Sequence, residues 1–305
     1  MTTAVERSAD DQARAPHHDY RNIRSILETP IMDDRKWAKL PGIPADMIFL
    51  DLEDSVAPEQ KPEARQRALA ALRDRSFAGS KLLLPRPNHL DTPWGHDDVV
   101  ALAEAGAEVI CYPKIRSVDD VSAVRELCAR HGADPDIFAI VETAQAVVEL
   151  RDIAAAPGVI GLMSGPGDIS VDAGMALYEP DGLLNRGFLV TKTMTVLTGA
   201  AYGLATTDIA YAEDIRDYAE IRNRVEESHR LGFTAMTTFY PPHVDIINEV
   251  FTPGPEEVAE ARRIVTAYED LRGQGRAAAL DQHGTPILVH EYDKARRLLA
   301  RAGRR

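Results

Sequence analysis

Short apolar runs alternate with longer stretches of helical periodicity along most of this chain. Runs of four to eight apolar residues bounded by turn-formers read as buried strands, and apolar positions three and four apart read as helices. The first run is "IRSILET" at 23–29, followed by the helical "DDRKWAKL" at 33–40. "MIFLDLED" at 47–54 precedes the helix "PEARQRALAALRDR", and "KLLLPRPN" at 81–88 precedes "DDVVALAEAG". "EVICYPKI" at 108–115 leads into "VDDVSAVRELCARHG", and "IFAIVETA" at 137–144 into "AQAVVELRDIAAA". "VIGLMSGPGD" at 159–168 is followed by "GFLVTKTMTVLTGAAYG", and the weaker "LATTDIAY" at 204–211 by "AEIRNRVEESHRLG". "TAMTTFYPP" at 234–242 and "VDIINEVF" form the eighth pair. Strand-like and helix-like segments in strict alternation predict a parallel βα architecture. Count and length together predict a TIM (β/α)8 barrel, a fold of typically about 250 residues. An open doubly wound sheet fits less well, because no G-x-G-x-x-G opens the first helix.

The barrel is expected over 21–255. Ahead of it, residues 1–20 lack an apolar core and read as a disordered leader. After it, 256–305 read as a C-terminal helical extension, a lid or an interface arm, with a Gly- and Ala-rich loop at 272–286 between two helices.

Composition narrows the function without naming it. The 305 residues are 45% hydrophobic and 27% charged, as in an ordinary globular protein. A formal net charge of -13 argues against nucleic acid or an anionic membrane surface as partner. No apolar run approaches the roughly 20 residues of a membrane helix. No secretory signal is present, so the cytoplasm is the expected compartment. Two cysteines and scattered histidines support neither a disulfide framework nor a zinc site.

In TIM barrels the chemistry sits at the C-terminal ends of the strands. Those ends carry Asp51, Glu53 and Asp54 (strand 2), Arg86 and Asn88 (strand 3), Lys114 (strand 4) and Glu142 (strand 5). Strand 6 runs out through "SGPGD" to Asp168, strand 7 reaches Asp208, and strand 8 ends near Tyr240. Acids at four of these exits are expected to converge on one rim with Arg86 and Lys114. Oxygen ligands with few histidines suit a hard cation such as Mg2+. Blander readings stand beside this one. Asp54 and Asp208 could each be a helix N-cap, and Lys114 could pair on the surface with Asp119 or Asp120. "SGPGDIS" could be a plain turn, although its glycines would also admit an anion close to the backbone.

Several strings carry a family resemblance: "RSIL", "ADMIFLDLEDSVAPEQKPEAR", "PRPN", "YPKI", "VETAQAV", "GPGD", "LGF" and "NEVFTPGPEEV", in that order from about Arg24 onward. The chain resembles the citrate lyase β-subunit-like group of the HpcH/HpaI aldolase family, which includes malyl-CoA and citramalyl-CoA lyases. The resemblance implies a Mg2+-dependent TIM barrel that makes or breaks a C–C bond, through an enolate, in a small hydroxy or keto acid or its CoA thioester. It implies Glu142 and Asp168 as metal ligands, and Arg86 as the group that holds the substrate carboxylate and faces the enolate. Glu53 and Asp54 are implied around the metal's waters, and Lys61 as structural. Gly165, Gly167, Lys114 and Lys39 are implied on the substrate side. The same resemblance implies a homotrimer or homohexamer. A phosphoenolpyruvate-mutase-like or isocitrate-lyase-like enzyme, or a silent subunit of a lyase complex, are the competing readings.

The chain leaves the family pattern in three places. After strand 1, Glu28 and Asp33 stand where CoA-using relatives read L-F-V-P-G and then a basic residue, which would repel CoA phosphates; Arg35, Lys36 and Lys39 lie close by. "FYPPHV" after strand 8 puts Tyr240 at a histidine's place, with His243 near the place of a glutamine. In the C-terminal segment Leu288 aligns with an acid that serves proton transfer or thioester hydrolysis in relatives, with Asp281 and Glu291 nearby.

Overall fold

The computed structural model describes residues 15–273, 279–280 and 286–303. Strands β1 (Ser25–Pro30), β2 (Met47–Asp51), β3 (Leu82–Arg86), β4 (Val109–Tyr112), β5 (Asp136–Val141), β6 (Val159–Ser164), β7 (Ala205–Ile209) and β8 (Ala235–Thr238) are the eight expected runs. They form one parallel sheet in the order β3-β2-β1-β8-β7-β6-β5-β4, and β3 and β4 lie side by side, so the sheet curls into a nearly closed TIM-type barrel.

Side-chain alternation divides each strand between two apolar layers. Ile26, Met47, Phe49, Leu84, Phe138 and Ile140 fill the barrel centre. Leu27, Ile48, Leu50, Ile110 and Val141 face outward and pack with helix residues such as Ala64, Ala68, Leu102 and Val121. Burial of every residue in β2 follows from this two-sided packing.

The helices are α1 (Asp34–Trp37), α2 (Lys61–Arg73), α3 (Gly95–Glu104), α4 (Val118–Arg130), α5 (Ala144–Val148), α6 (Leu150–Ala155), α7 (Pro166–Asp172), α8 (Phe188–Tyr202), α9 (Tyr218–Leu231), α10 (His243–Val250), α11 (Pro255–Gly273) and α12 (Val289–Ala302). The helix expected over 33–40 is a single turn: Asp33 caps its start by accepting from the N–H groups of Arg35 and Lys36, and a 3-10 turn containing Pro41 follows. The pattern at 144–156 breaks at Glu149 into α5 and α6. The segment after β6 is not a plain turn: Pro166 starts α7 there, the place proline favours.

Of the expected leader, residues 1–14 lie outside the described residues. His17 N–H and the Tyr20 hydroxyl both donate to Asp136 Oδ2, at 2.7 and 3.0 Å, which ties 15–20 to the start of β5.

The unit that holds the barrel ends at Asn248, and a second compact unit begins at Glu249. Within the second, α11 packs on α12; the Tyr268 and Tyr292 rings stack 4.4 Å apart, and the Tyr292 hydroxyl donates to Glu269. The loop expected at 272–286 falls largely, and Asp281 wholly, outside the described residues. Among the described residues no helix is long and apolar enough to cross a membrane.

Candidate active site

The turn after β2 is held from inside by Asp51. Its buried carboxylate accepts from Glu53 N–H (2.8 Å), Ser55 N–H (2.8 Å) and Arg86 Nε (2.8 Å). Burial pushes its pKa up, but Arg86 and these hydrogen bonds outweigh burial and leave it below the usual carboxylate range. Lys61 of α2 donates to the carbonyls of Leu52 (2.9 Å) and Glu53 (2.6 Å), and Asn88 Nδ2 donates to Leu52 O (2.9 Å). The "DLED" turn is thereby fixed by backbone-directed bonds. Asp51 spends its oxygens on this internal frame, leaving Glu53 and Asp54 as the outward acids of the cluster.

Arg86, at the neighbouring register position to Asp51, is buried among acids. Its Nε lies 3.2 Å from Glu53, its NH2 lies 3.6 Å from Glu28 and 3.9 Å from Asp54, and its guanidinium sits 5.1 Å over the Phe49 ring. The Nε–H points at Asp51, so the close Glu53 Oε2 remains without a hydrogen bond despite the short ion-pair distance. Burial pushes the Glu53 carboxyl up to about 8; Arg86 opposes that, while Glu142 and Asp54 add to it. Glu28 is also raised by burial, against the pull of Arg86. Asp54 stands at the exposed edge, its side chain 60% accessible.

A carboxyl whose folded pKa is raised favours the folded state at pH values below its ordinary 4.5. That advantage is lost as pH rises through about 8. The metal-free protein is therefore expected to lose up to about 4 kcal/mol from Glu53 between about pH 5 and pH 9. E53Q should flatten that part of the denaturation profile, and an unchanged pH slope in E53Q would rule the protonation out.

Across the mouth, Glu142 directly follows β5 and Asp168 lies in the first turn of α7. Lys114 bridges them. Its N–H donates to Glu142 Oε1 at 2.6 Å, its Nζ donates to Asp168 Oδ1 at 2.5 Å, and the Nζ stands 3.8 Å from Glu142 Oε2. Lys114 is the one non-glycine with a left-handed backbone among the described residues (φ 51°). Such a conformation costs of order 1 kcal/mol and persists only where its surroundings enforce it. Burial pushes Glu142 up to about 7, with Lys114 lowering and Asp168 raising it.

Two carboxylates thus converge on one cation, here an ammonium. The same two oxygen donors fit a hard divalent ion that keeps several waters, as Mg2+ does. Among the described residues no three His, Cys, Asp or Glu groups cluster as a zinc-type site would require. The glycines of "GPGD" have a packing reason: a Cβ at Gly165 would come within 2.5 Å of Glu142 Cβ, and one at Gly167 within 2.7 Å of the Tyr211 hydroxyl.

Other expected rim residues lie elsewhere. Asp208 does not join the rim: its side chain turns out between barrel and helices, to Lys192 Nζ of α8 (2.7 Å) and Ser228 Oγ of α9 (2.6 Å). It lies one residue before the end of β7, so strand alternation aims it away from the mouth. Lys39 is exposed on the turn after α1, and among the described residues it pairs with none of the site's carboxylates. Neither acid expected to face CoA phosphates is free, since Glu28 lies on Arg86 and Asp33 caps α1. His243 is buried, bonded to Thr238 Oγ1 (3.0 Å) and Ile215 O (2.8 Å), with the Tyr240 ring edge-on.

Two rim groups escaped the sequence reading: Glu28 as a partner of Arg86, and Tyr211. Glu28 shares the inward face of β1 with Ile26, a period-two signal that a reading of strand ends alone passes over.

The profile of the HpcH/HpaI aldolase/citrate lyase family matches residues 25–241. The chain belongs to that family. It is 33% identical over 263 residues to a (3S)-malyl-CoA thioesterase of Cereibacter sphaeroides (strain KD131 / KCTC 12085), covering 86% of this chain and 89% of the relative. It is 33% identical over 265 residues to an L-malyl-CoA/beta-methylmalyl-CoA lyase of Rhodobacter capsulatus, covering 79% and 83%. Among solved structures, the CitE protein of Mycobacterium tuberculosis in complex with magnesium, acetoacetate and coenzyme A superposes with a TM-score of 0.77. It shares 26% identity, with 93% of this chain and 99% of that chain covered. This family member is an enzyme of the carbon–carbon lyase type.

Proposed function

We propose that this enzyme cleaves or forms a C–C bond in the CoA thioester of a small hydroxy acid of the malyl type, with Mg2+ held by Glu142 and Asp168. The observation that supports it most is the convergence of those two carboxylates on a single cation, with buried Arg86 facing the same barrel mouth. Relatives that act on malyl-CoA and a CitE protein bound to magnesium and coenzyme A favour the thioester over the free acid. When bound, Mg2+ supplies Lewis acidity to a chelated carboxylate and its neighbouring oxygen.

The chain's own residues do the rest. Breaking the C–C bond leaves its electron pair as an enolate; the substrate hydroxyl gives its proton to a base, and the enolate carbon takes up a proton to become the acyl product. Arg86, locked by Asp51, offers its remaining N–H groups to the substrate carboxylate or the enolate oxygen, a preorganised charge that needs no rearrangement. Glu53 holds or takes a proton at Oε2, the oxygen that has no partner. Asp54 sits beside it at the open edge. Lys114 keeps Glu142 and Asp168 aimed at one point, and its Nζ becomes a donor to substrate once they hold an ion. Gly165 and Gly167 keep the α7 turn close to the site, and Lys39 stands exposed as a charge for CoA phosphate.

The test is turnover of malyl-CoA, citramalyl-CoA, free malate and free citramalate, with Mg2+ or with chelator. Metal-dependent cleavage of a thioester supports the proposal, and cleavage of free acids alone contradicts it. The thioesterase relatives favour a second reading, hydrolysis to free CoA and malate. It needs an acid or base at the thioester, and at the position where the resemblance implies that group this chain has the alkyl side chain of Leu288.

The homotrimer or homohexamer is part of the same proposal. Helix α8 turns Phe188, Lys192, Thr195 and Gly199 inward and leaves Leu189, Val190, Met194 and Leu197 exposed, at 37–65% accessibility. An apolar face of that kind marks an interaction surface. Light scattering after gel filtration should give three or six times the chain mass, and V190E/L197E should lower it; a monomeric wild-type protein would contradict the assembly.

A further inference from the structure

One side chain at the mouth has no part in the site as described so far. Tyr211 sits just past β7, in a tight turn where its N–H donates to Ile209 O at 3.0 Å. Because Asp208 turns outward to Lys192, this sector presents Tyr211 as a polar group toward the mouth. Its ring crosses to α7, where the hydroxyl takes the space that a Cβ on Gly167 would need. The phenol lies in the field of three carboxylates, Asp168, Glu28 and Glu142, yet hydrogen-bonds to none of them. Burial, with these charges adding to it, raises its pKa to about 12, so the hydroxyl remains a neutral donor at working pH. A half-buried hydroxyl with a proton to donate and no partner among the described residues is placed to meet a ligand.

Its position in the barrel says which part of the ligand. In the ring order β3-β2-β1-β8-β7, Tyr211 stands four strands from Arg86, on the opposite side of an eight-stranded mouth. We propose that Tyr211 is a specificity-determining residue that donates its phenol proton to an oxygen at the end of the substrate remote from Arg86, so that the site selects acids carrying oxygen at both ends. In a thioester that oxygen is the acyl carbonyl; in a free dicarboxylic acid it is the second carboxylate. The inference rests on the lyase reading of the site, and on the first of its two positions for Arg86, the substrate carboxylate; with Arg86 on the enolate oxygen instead, the acyl carbonyl would lie across the mouth from Tyr211.

Calorimetry on wild type and Y211F tests it with Mg2+ alone, then with L-malate and with L-lactate at saturating Mg2+. Both ligands have the 2-hydroxycarboxylate fork, but only malate has a far carboxylate. Y211F is expected to weaken malate about tenfold, the worth of one net hydrogen bond, and to leave lactate and Mg2+ within about twofold. A parallel loss of both ligands, or of Mg2+, would mean that Tyr211 only supports the Gly167–Asp168 turn, and would overturn the inference. So would unchanged malate binding. If Y211F unfolds, Y211L and Y211M remove the donor in its place, with the malate-to-lactate ratio as readout. Wild-type protein that binds Mg2+ but neither ligand would overturn this inference alone, since the lyase reading concerns the thioester and stands or falls on turnover of malyl-CoA.

Discussion

E142Q is expected to lose Mg2+ binding by about 100-fold or more, with a metal-free fold as stable as wild type or more so. The two halves of that result have one cause. Glu142 is almost wholly buried, and burial against Asp168 already holds its carboxyl near 7 in the absence of metal. A neutral amide of the same shape removes that electrostatic cost, yet it removes one of only two anionic donors. Calorimetry reads the first half and thermal unfolding in chelator the second. D168N should also weaken Mg2+, with less effect on stability because that side chain is 46% accessible. Full-affinity Mg2+ binding by E142Q would place the ion elsewhere.

R86K is expected to lower kcat by about 100- to 1,000-fold while leaving Mg2+ affinity within a few-fold. Lysine keeps the charge that Asp51, Glu53 and Glu28 surround, so the fold should survive. It loses the planar fork that bonds Asp51 through Nε and still presents N–H groups to a ligand. R86A is the poorer experiment. It would leave buried carboxylates without their cation, at about 3–5 kcal/mol, and inactivity would then report unfolding. A kcat in folded R86K near that of wild type would remove Arg86 from the chemistry.

The sequence reading and the structure agree where side-chain period decides. Two-sided burial makes β1 to β8 continuous apolar runs, and the structure places a strand at each. Strand exits placed Arg86, Lys114, Glu142 and Asp168 on one mouth, because each lies at the end of its strand or within four residues after it. Asp208 shows the limit: it is inside its strand, where one residue of register decides between mouth and helix layer. Glu28 and Tyr211 show another. Whether a group points at a site depends on what approaches from across the barrel, here Arg86 and the Gly167 turn. The three acids of "DLED" read alike as a cluster, but hydrogen bonding sets them apart, with Asp51 ionised and internal and Glu53 raised and unpartnered.

The most direct measurement is product analysis of malyl-CoA incubated with wild-type enzyme and Mg2+, with E142Q and chelator as controls. Acetyl-CoA and glyoxylate in equal amounts, formed only by the metal-loaded wild-type enzyme, are the predicted result. Free CoA with malate, or cleavage that persists in chelator and in E142Q, would contradict it.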